Sequence, residues 1–189
     1  SVADEEMLGV LCVDTESGKQ LWEKTVARAP GVPAERPEVT EDTGYAAPSM
    51  ATDGQRVFAI YATGDVVCFN NEGEQMWTRH LGTPENHYGH SSSLIVYRDR
   101  LIVQYDESNT PRLMALDAIT GKTVWETPRP VEISWASPVI VNADAGAQIV
   151  LNASPVVAAY SAETGEQLWS IECMGGEVAP SVAFADGIV

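Results

Sequence analysis

Short β-branched and apolar runs alternate with clusters of Asp, Asn, Ser and Gly along the whole chain, a pattern of closely spaced strands and turns. In four places a run leads into a polar turn, a Gly, and then a Trp four residues after that Gly. The copies are Val10 to Trp22 (Asp14, Ser17, Gly18), Val67 to Trp77 (Asn70, Gly73), Met114 to Trp125 (Asp117, Thr120, Gly121) and Ala158 to Trp169 (Ser161, Thr164, Gly165). These Trp lie 44 to 55 positions apart, the spacing of a propeller or another repeat array.

Each copy predicts a hairpin whose second strand carries a large hydrophobic anchor. The Asp or Asn side chain accepts backbone N–H groups that the turn leaves unpaired, and the Gly takes positive φ without a Cβ clash. Each Trp brings more apolar area than a half-exposed strand covers by itself, so it must bury against a neighbouring unit. Between the hairpins, residues 46–50 and 57–60, 91–96 and 101–103, and 136–141 and 148–151 read as further strand pairs. Asp53-Gly54, Arg98-Asp99 and Asp144-Ala145-Gly146 are their turns. Each repeat is therefore four antiparallel strands, A to D, with the Trp on D, which is one propeller blade. The expected fold is all-β and a single architectural unit. A partial blade occupies residues 1–26, whole blades 45–81, 89–127 and 134–173, and the start of a further blade 177–189.

The run Ala115-x-Asp117-x-x-Thr120-Gly121-x-x-x-Trp125 resembles the tryptophan-docking motif of the PQQ-like β-propellers, named after pyrroloquinoline quinone. That family includes quinoprotein dehydrogenases and the lipoprotein scaffold of the outer-membrane barrel assembly machinery. One copy matches fully. Cys12 and Cys68 replace the motif Ala in two others, Ser161 replaces Asp in the last, and Gly73 follows a shortened turn. The resemblance implies that Trp22, Trp77, Trp125 and Trp169, with Gly18, Gly73, Gly121, Gly165, Asp14 and Asp117, are structural docking residues. It also implies export from a bacterial cytoplasm, to the periplasm or beyond. It speaks to fold rather than to activity, because scaffolds and enzymes share the motif.

Rings of this family have about 6 to 8 blades, so the chain reads as a partial ring of a larger propeller, about 7–8 blades in all. Two alternatives stay open. The first and last segments could pair to close a four-bladed ring, or a homodimer could complete one ring from two chains.

Composition narrows the partners. With 27 acidic and 11 basic residues the net charge is −16, and no Lys/Arg stripe occurs, so a nucleic-acid partner is excluded. No apolar run is long enough to be a transmembrane segment. Cys12 and Cys68 hold equivalent places in successive blades and are expected to be small buried thiols. Cys173 has no evident partner, and there is no CxxC.

Loops joining D to the next A, and B to C, are expected on one face around the central channel. Aligned on Pro48, Ser93, Pro138 and Pro180, the blades put Tyr45, His90, Trp135 and Glu177 at one position before the innermost strand, an arc for contact with a ligand or partner. Packing within the channel is the structural reading of the same four residues. Residues 27–44 and 82–89 are the long loops of this face, and Asp65, the group Asp106 to Asn109, and Asn152 are its B-to-C oxygens. Such loops could hold Ca²⁺, although no EF-hand spacing is present and solvated turns explain them as well. His87 and His90, with Glu85 near, are spaced as a weak metal pair without a third ligand. No nucleophile motif appears, and Asn152-Ala153-Ser154 is a glycosylation sequon followed by Pro155 that reads as a turn.

Three function classes follow. One is a non-enzymatic, exported binding or assembly scaffold that presents its loop face to a protein or polymer partner. Another, implied by the resemblance, is a dehydrogenase for alcohols or sugars that uses PQQ with Ca, with Trp135 as the stacking surface and Asp106 as the acid. The third is a structural segment of a larger secreted protein. The first is preferred, because a quinoprotein draws its ligands from around a whole ring.

Overall fold

The computed structural model describes residues 1–3, 7–144 and 146–189. Ala145, in the turn expected at 144–146, lies outside the described residues, as do residues 4–6 in the segment 1–26. Among the described residues, fifteen strands form four antiparallel sheets. The first sheet is β1 (Val2–Ala3), β2 (Leu8–Val13) and β3 (Gln20–Thr25). The second is β4 (Ala51–Thr52), β5 (Arg56–Ile60), β6 (Asp65–Asn70) and β7 (Gln75–His80). The third is β8 (Ile95–Tyr97), β9 (Arg100–Tyr105), β10 (Arg112–Asp117) and β11 (Thr123–Pro128). The fourth is β12 (Val139–Ala143), β13 (Gly146–Ala153), β14 (Val156–Ser161) and β15 (Gln167–Glu172). Among the described residues none forms a helix long and apolar enough to cross a membrane.

Every sheet runs up and down in chain order, and successive sheets stack face to face as blades of a propeller arc. The period-2 geometry of a strand makes this stacking work, since alternate residues supply opposite faces. Phe58, Ile60, Val66 and Cys68 meet Leu101, Val103, Met114 and Leu116 of the next sheet. Their neighbours Ala59, Tyr61, Val67 and Phe69 turn the other way, onto Leu8 and Val10. Ile102, Leu113 and Ala115 join Ile149, Leu151, Ala158 and Tyr160 in the next interface. The core is therefore a series of layers between blades.

The Gly-to-Trp turns have one construction. Asp117 Oδ1 accepts from the Thr120 N–H and hydroxyl, both at 2.7 Å, and the Gly121 N–H donates to the Asp117 carbonyl at 2.8 Å. Asp14 does the same for Ser17, and Asn70 accepts from Glu72 and Glu74. A bulge follows Cys12, Cys68, Ala115 and Ala159, each of which is paired across the hairpin with its Trp. Trp22, Trp77 and Trp125 in turn reach the next sheet, while Trp169 donates to Gln148 of its own sheet. Trp22 donates to the Asn71 carbonyl at 3.0 Å and Trp77 to the Ala118 carbonyl at 3.1 Å. A Cβ on Gly73, Gly121 or Gly165 would stand 2.9, 2.7 or 2.4 Å from the indole of Trp22, Trp77 or Trp125. These glycines serve two ends at once: positive φ in their own turn, and a flat seat for the indole before them.

The innermost strands differ from expectation. Residues 46–50, 91–94 and 136–138 are not in strands, and β4, β8 and β12 begin only afterwards. One serine N–H in each of them points to the neighbouring blade instead. The Ser49 N–H donates to Ser93 Oγ at 3.0 Å, Ser93 to Ser137 at 2.9 Å and Ser137 to Ser181 at 2.9 Å, each step 44 residues long. In the segment 177–189, expected to start a further blade, the described structure holds a bridge between Val178 and Ser134 before the Asp186-Gly187 turn closes Ala185 onto Ile188. No strand pairing among the described residues links this segment to the first sheet.

Candidate functional site

The serine relay sets the true register between blades, and it corrects the alignment on Pro48, Ser93, Pro138 and Pro180. Counting three residues back from Ser49, Ser93, Ser137 and Ser181 gives Ala46, His90, Ser134 and Val178. Tyr45 and Glu177 fall one residue before that row and Trp135 one after. In extended backbone a shift of one residue reverses the side chain. His90, Ser134 and Val178 are accordingly buried, whereas Trp135 is half-buried and Glu177 exposed.

The four residues thus separate into two environments. Burial pushes the His90 imidazole down to about 4, so it is neutral at ordinary pH; its ring lies 5.1 Å from that of Tyr105, and its Nε2 has no hydrogen-bond partner. Tyr45 lines neither cleft described below: its hydroxyl donates to the Pro37 carbonyl at 3.1 Å and Arg36 lies over its ring, which folds the 27–44 loop on itself. Only Trp135 and Glu177 come together, and His87 joins them.

Backbone bonds fix this meeting. Residues 129–135 are pinned by Arg129 N–H to Pro111, Glu132 N–H to Ser154 and Trp135 N–H to Val178, each 2.9 Å from the accepting carbonyl. The last bond carries Glu177, the residue before Val178, to the side of the indole. From the other side the 82–90 loop brings Asn86, whose Oδ1 accepts from Trp135 Nε1 at 3.0 Å. His87 meets the indole at 5.3 Å with an interplanar angle of 82°, and Tyr88 lies 5.2 Å away. His87 Nε2 is 3.4 Å from the Glu177 carboxylate. The loop after β9 clamps the 82–90 loop in place: the Ser108 N–H donates to the Glu85 carbonyl at 3.0 Å, and Asn109 Nδ2 donates to the Glu85 carboxylate. The result is a cleft of about 490 Å³ with Trp135, Val131 and Ile133 as apolar wall and Glu132, Glu177, His87 and Ser108 at its polar edge. A second cleft of about 270 Å³ shares His87 and Ser108 and adds Glu38, Glu85 and Asn86.

The other acids of this face are committed elsewhere. Asp65 is buried and binds Arg28 at 2.8 Å, with His80 at 3.2 Å, which ties the 27–44 loop to the second sheet. Asp106 is fully buried 3.3 Å from an equally buried Arg129, and accepts from Gln104 at 2.7 Å. Burial, opposed by Arg129 and Gln104, pushes Asp106 up to about 6. Asn152 is buried too and donates to the Pro180 carbonyl at 2.9 Å. Among the described residues no three His, Cys, Asp or Glu side chains gather as metal ligands, and His87 and His90 face different environments. All three cysteines are free. Cys68 is buried and its thiol is pushed up to about 12 by burial, Cys12 is only half-buried, contrary to expectation, and Cys173 is exposed.

Pyrroloquinoline quinone is a planar tricarboxylate, so a site for it needs a stacking face and cationic partners for its carboxylates. The walls beside Trp135 present two carboxylates, Glu132 and Glu177, and no Arg or Lys, while the Arg129 guanidinium beneath is turned to Asp106. Asp106 itself lines neither cleft. The residues of the Trp135 cleft do not complement the carboxylates of the quinone.

Sequential four-stranded blades joined through indole and glycine define a β-propeller of the PQQ-like repeat type. The chain belongs to the family described as outer membrane protein assembly factor BamB, whose sequence profile matches residues 6–132 and 109–189. No curated protein is similar enough to count as a relative. Among solved structures, BamB from Moraxella catarrhalis is 16% identical with a TM-score of 0.59, over 82% of this chain and 41% of that one. A europium-containing methanol dehydrogenase is 12% identical with a TM-score of 0.63, over 87% of this chain and 38% of that one. Quinohemoprotein alcohol dehydrogenase from Comamonas testosteroni is 14% identical with a TM-score of 0.59, over 88% and 32%. The chain thus spans about two fifths or less of these structures, and the likeness is one of fold.

Of the residues at the cleft, Trp135, Glu177 and His87 were singled out from sequence, whereas Glu132, Val131 and Ile133 were missed. The signal for them was available: residues 129–135 form a blade-to-blade connection of the same kind as 82–89.

Proposed function

We propose that the chain is part of an exported, non-enzymatic assembly scaffold that holds a polypeptide partner on the loop face around Trp135. The observation that carries this reading is the cleft itself. A large aromatic is fixed by Asn86 and by the Val178 carbonyl in a half-open apolar wall with a polar edge, the composition of a protein-contact anchor. Its two carboxylates, Glu132 and Glu177, oppose the charge of the quinone. Membership of the BamB family supports both the scaffold role and periplasmic localisation. The indole–glycine seats act as docking joints that keep the blades, and hence the loops, rigid.

The test is partner capture with the full-length gene product and photo-crosslinking from Tyr88. Trp135→Ala is expected to abolish the cross-link without lowering the melting temperature by more than a few degrees, and Leu168→Ala, on the outer edge, to leave it intact. Saturable binding of PQQ with Ca²⁺, accompanied by dye reduction with an alcohol or aldose, would overturn the scaffold reading. Sedimentation of the purified chain decides separately whether a second copy completes the ring.

A further inference from the structure

We infer that the Trp135 cleft takes a cationic side chain, arginine or lysine, of a partner polypeptide, and that the adjoining cleft takes a second cation of the same segment. The inference rests on the loop-face reading above and names the class of partner.

Three independent features point there. The indole of Trp135 is held by Asn86 and flanked by His87 and Tyr88, so its orientation is set before anything binds. Intramolecular cations lie over Tyr45, Tyr97, Tyr105 and Tyr160, but none described lies over Trp135. Trp is the aromatic that best attracts a cation to its face.

The charge around it has one sign. Glu132 and Glu177 line the cleft, and no Lys or Arg is within ion-pair distance of either among the described residues. Anions are repelled there, and a neutral apolar side chain would leave both carboxylates uncompensated. An Arg or Lys satisfies both features, since its alkyl stem covers Val131 and Ile133 while its charge stays at the rim.

The second cleft argues for a polypeptide rather than a lone small cation. It continues from the first through His87 and Ser108 and brings a further carboxylate pair, Glu38 and Glu85. Asn86 borders it. This side chain is only 6% exposed, and its Nδ2 donor has no acceptor.

The experiment selects decapeptides from a random library on the full protein, and follows the Trp135 indole resonance on titration with the peptides obtained. Enrichment in Arg and Lys is expected, with the Trp135 indole shifted. Glu132→Gln/Glu177→Gln should weaken binding by about tenfold or more. A control of equal charge loss on the outer strand β3 and in the turn before β15, Glu23→Gln/Glu166→Gln, should weaken it by no more than about twofold, because remote charges are screened by salt. Equal losses in the two double variants would reduce the effect to net charge and sink the inference. Uncharged peptides that still shift Trp135 overturn the cationic class while leaving loop-face docking intact. If the selected peptides leave Trp135 unmoved, both readings fail. Spermidine binding as tightly as the peptides would transfer the site to a free polyamine and overturn the polypeptide assignment.

Discussion

Replacing Gly121 with alanine, beside the same change at Gly18, separates the two demands on the motif glycine. Both residues have positive φ, +70° and +66°. An L-residue there costs roughly 1–2 kcal/mol, and the stiffer unfolded chain returns about 0.4–1 kcal/mol of this. At Gly18 nothing lies within 4 Å of the added Cβ, so the net loss is about 1 kcal/mol or less. At Gly121 the new Cβ would stand 2.7 Å from Trp77 Cε3 and 2.8 Å from Cδ2. The indole cannot slide aside freely, because its Nε1 donates to the Ala118 carbonyl at 3.1 Å. Overpacking of this kind adds about 1–3 kcal/mol, for a total of about 1–4 kcal/mol. Urea unfolding followed by circular dichroism measures both variants against the parent. Equal losses at the two positions would falsify the indole seat and leave the glycine as a turn residue only.

Other perturbations follow from the same contacts. Trp125→Ala should cost about 3–5 kcal/mol, the range for emptying a large aromatic site; an unchanged urea midpoint would refute its burial against Gly165. Ser137→Ala removes the acceptor of the Ser93 N–H and should cost about 0.5–1.5 kcal/mol, with the Ser93 amide exchanging faster in hydrogen exchange. The carboxyl of Asp106 lies above its unfolded value, at about 6. The folded state therefore binds a proton that the unfolded state releases, and this group adds stability as pH falls from 7 through 6 towards 4. In Asp106→Asn that gain should vanish from a plot of urea midpoint against pH; an identical slope would refute it. Asp14 and Asp117 act oppositely. Hydrogen bonds from Ser17 and Thr120 hold them below the usual range, so their contribution is lost only in stronger acid.

The turns and strand pairs were legible because their determinants are local. Asp117, Thr120 and Gly121 bond to one another within five residues, and the Trp follows at fixed spacing. The innermost strands were misread because Ser49, Ser93 and Ser137 send their N–H groups to another blade, a partner 44 residues away that no local pattern reveals. The misread register had a direct consequence for the site. Proline is a poor ruler here because it marks where an N–H is absent, and the serines mark where one is bound. His90 was thereby grouped with Trp135 although it is buried on the opposite side. The acid role suggested for Asp106 likewise failed to foresee Arg129, whose buried guanidinium claims it.

The serine relay also bears on how such a chain can change over generations. Each joint presents the same donor on one side and the same hydroxyl on the other, and the indole and glycine repeat this complementarity further out. Duplicating or deleting one unit of 44 residues would bring together surfaces that already match. Unequal recombination can therefore alter ring size without redesigning an interface, while the loops diverge independently.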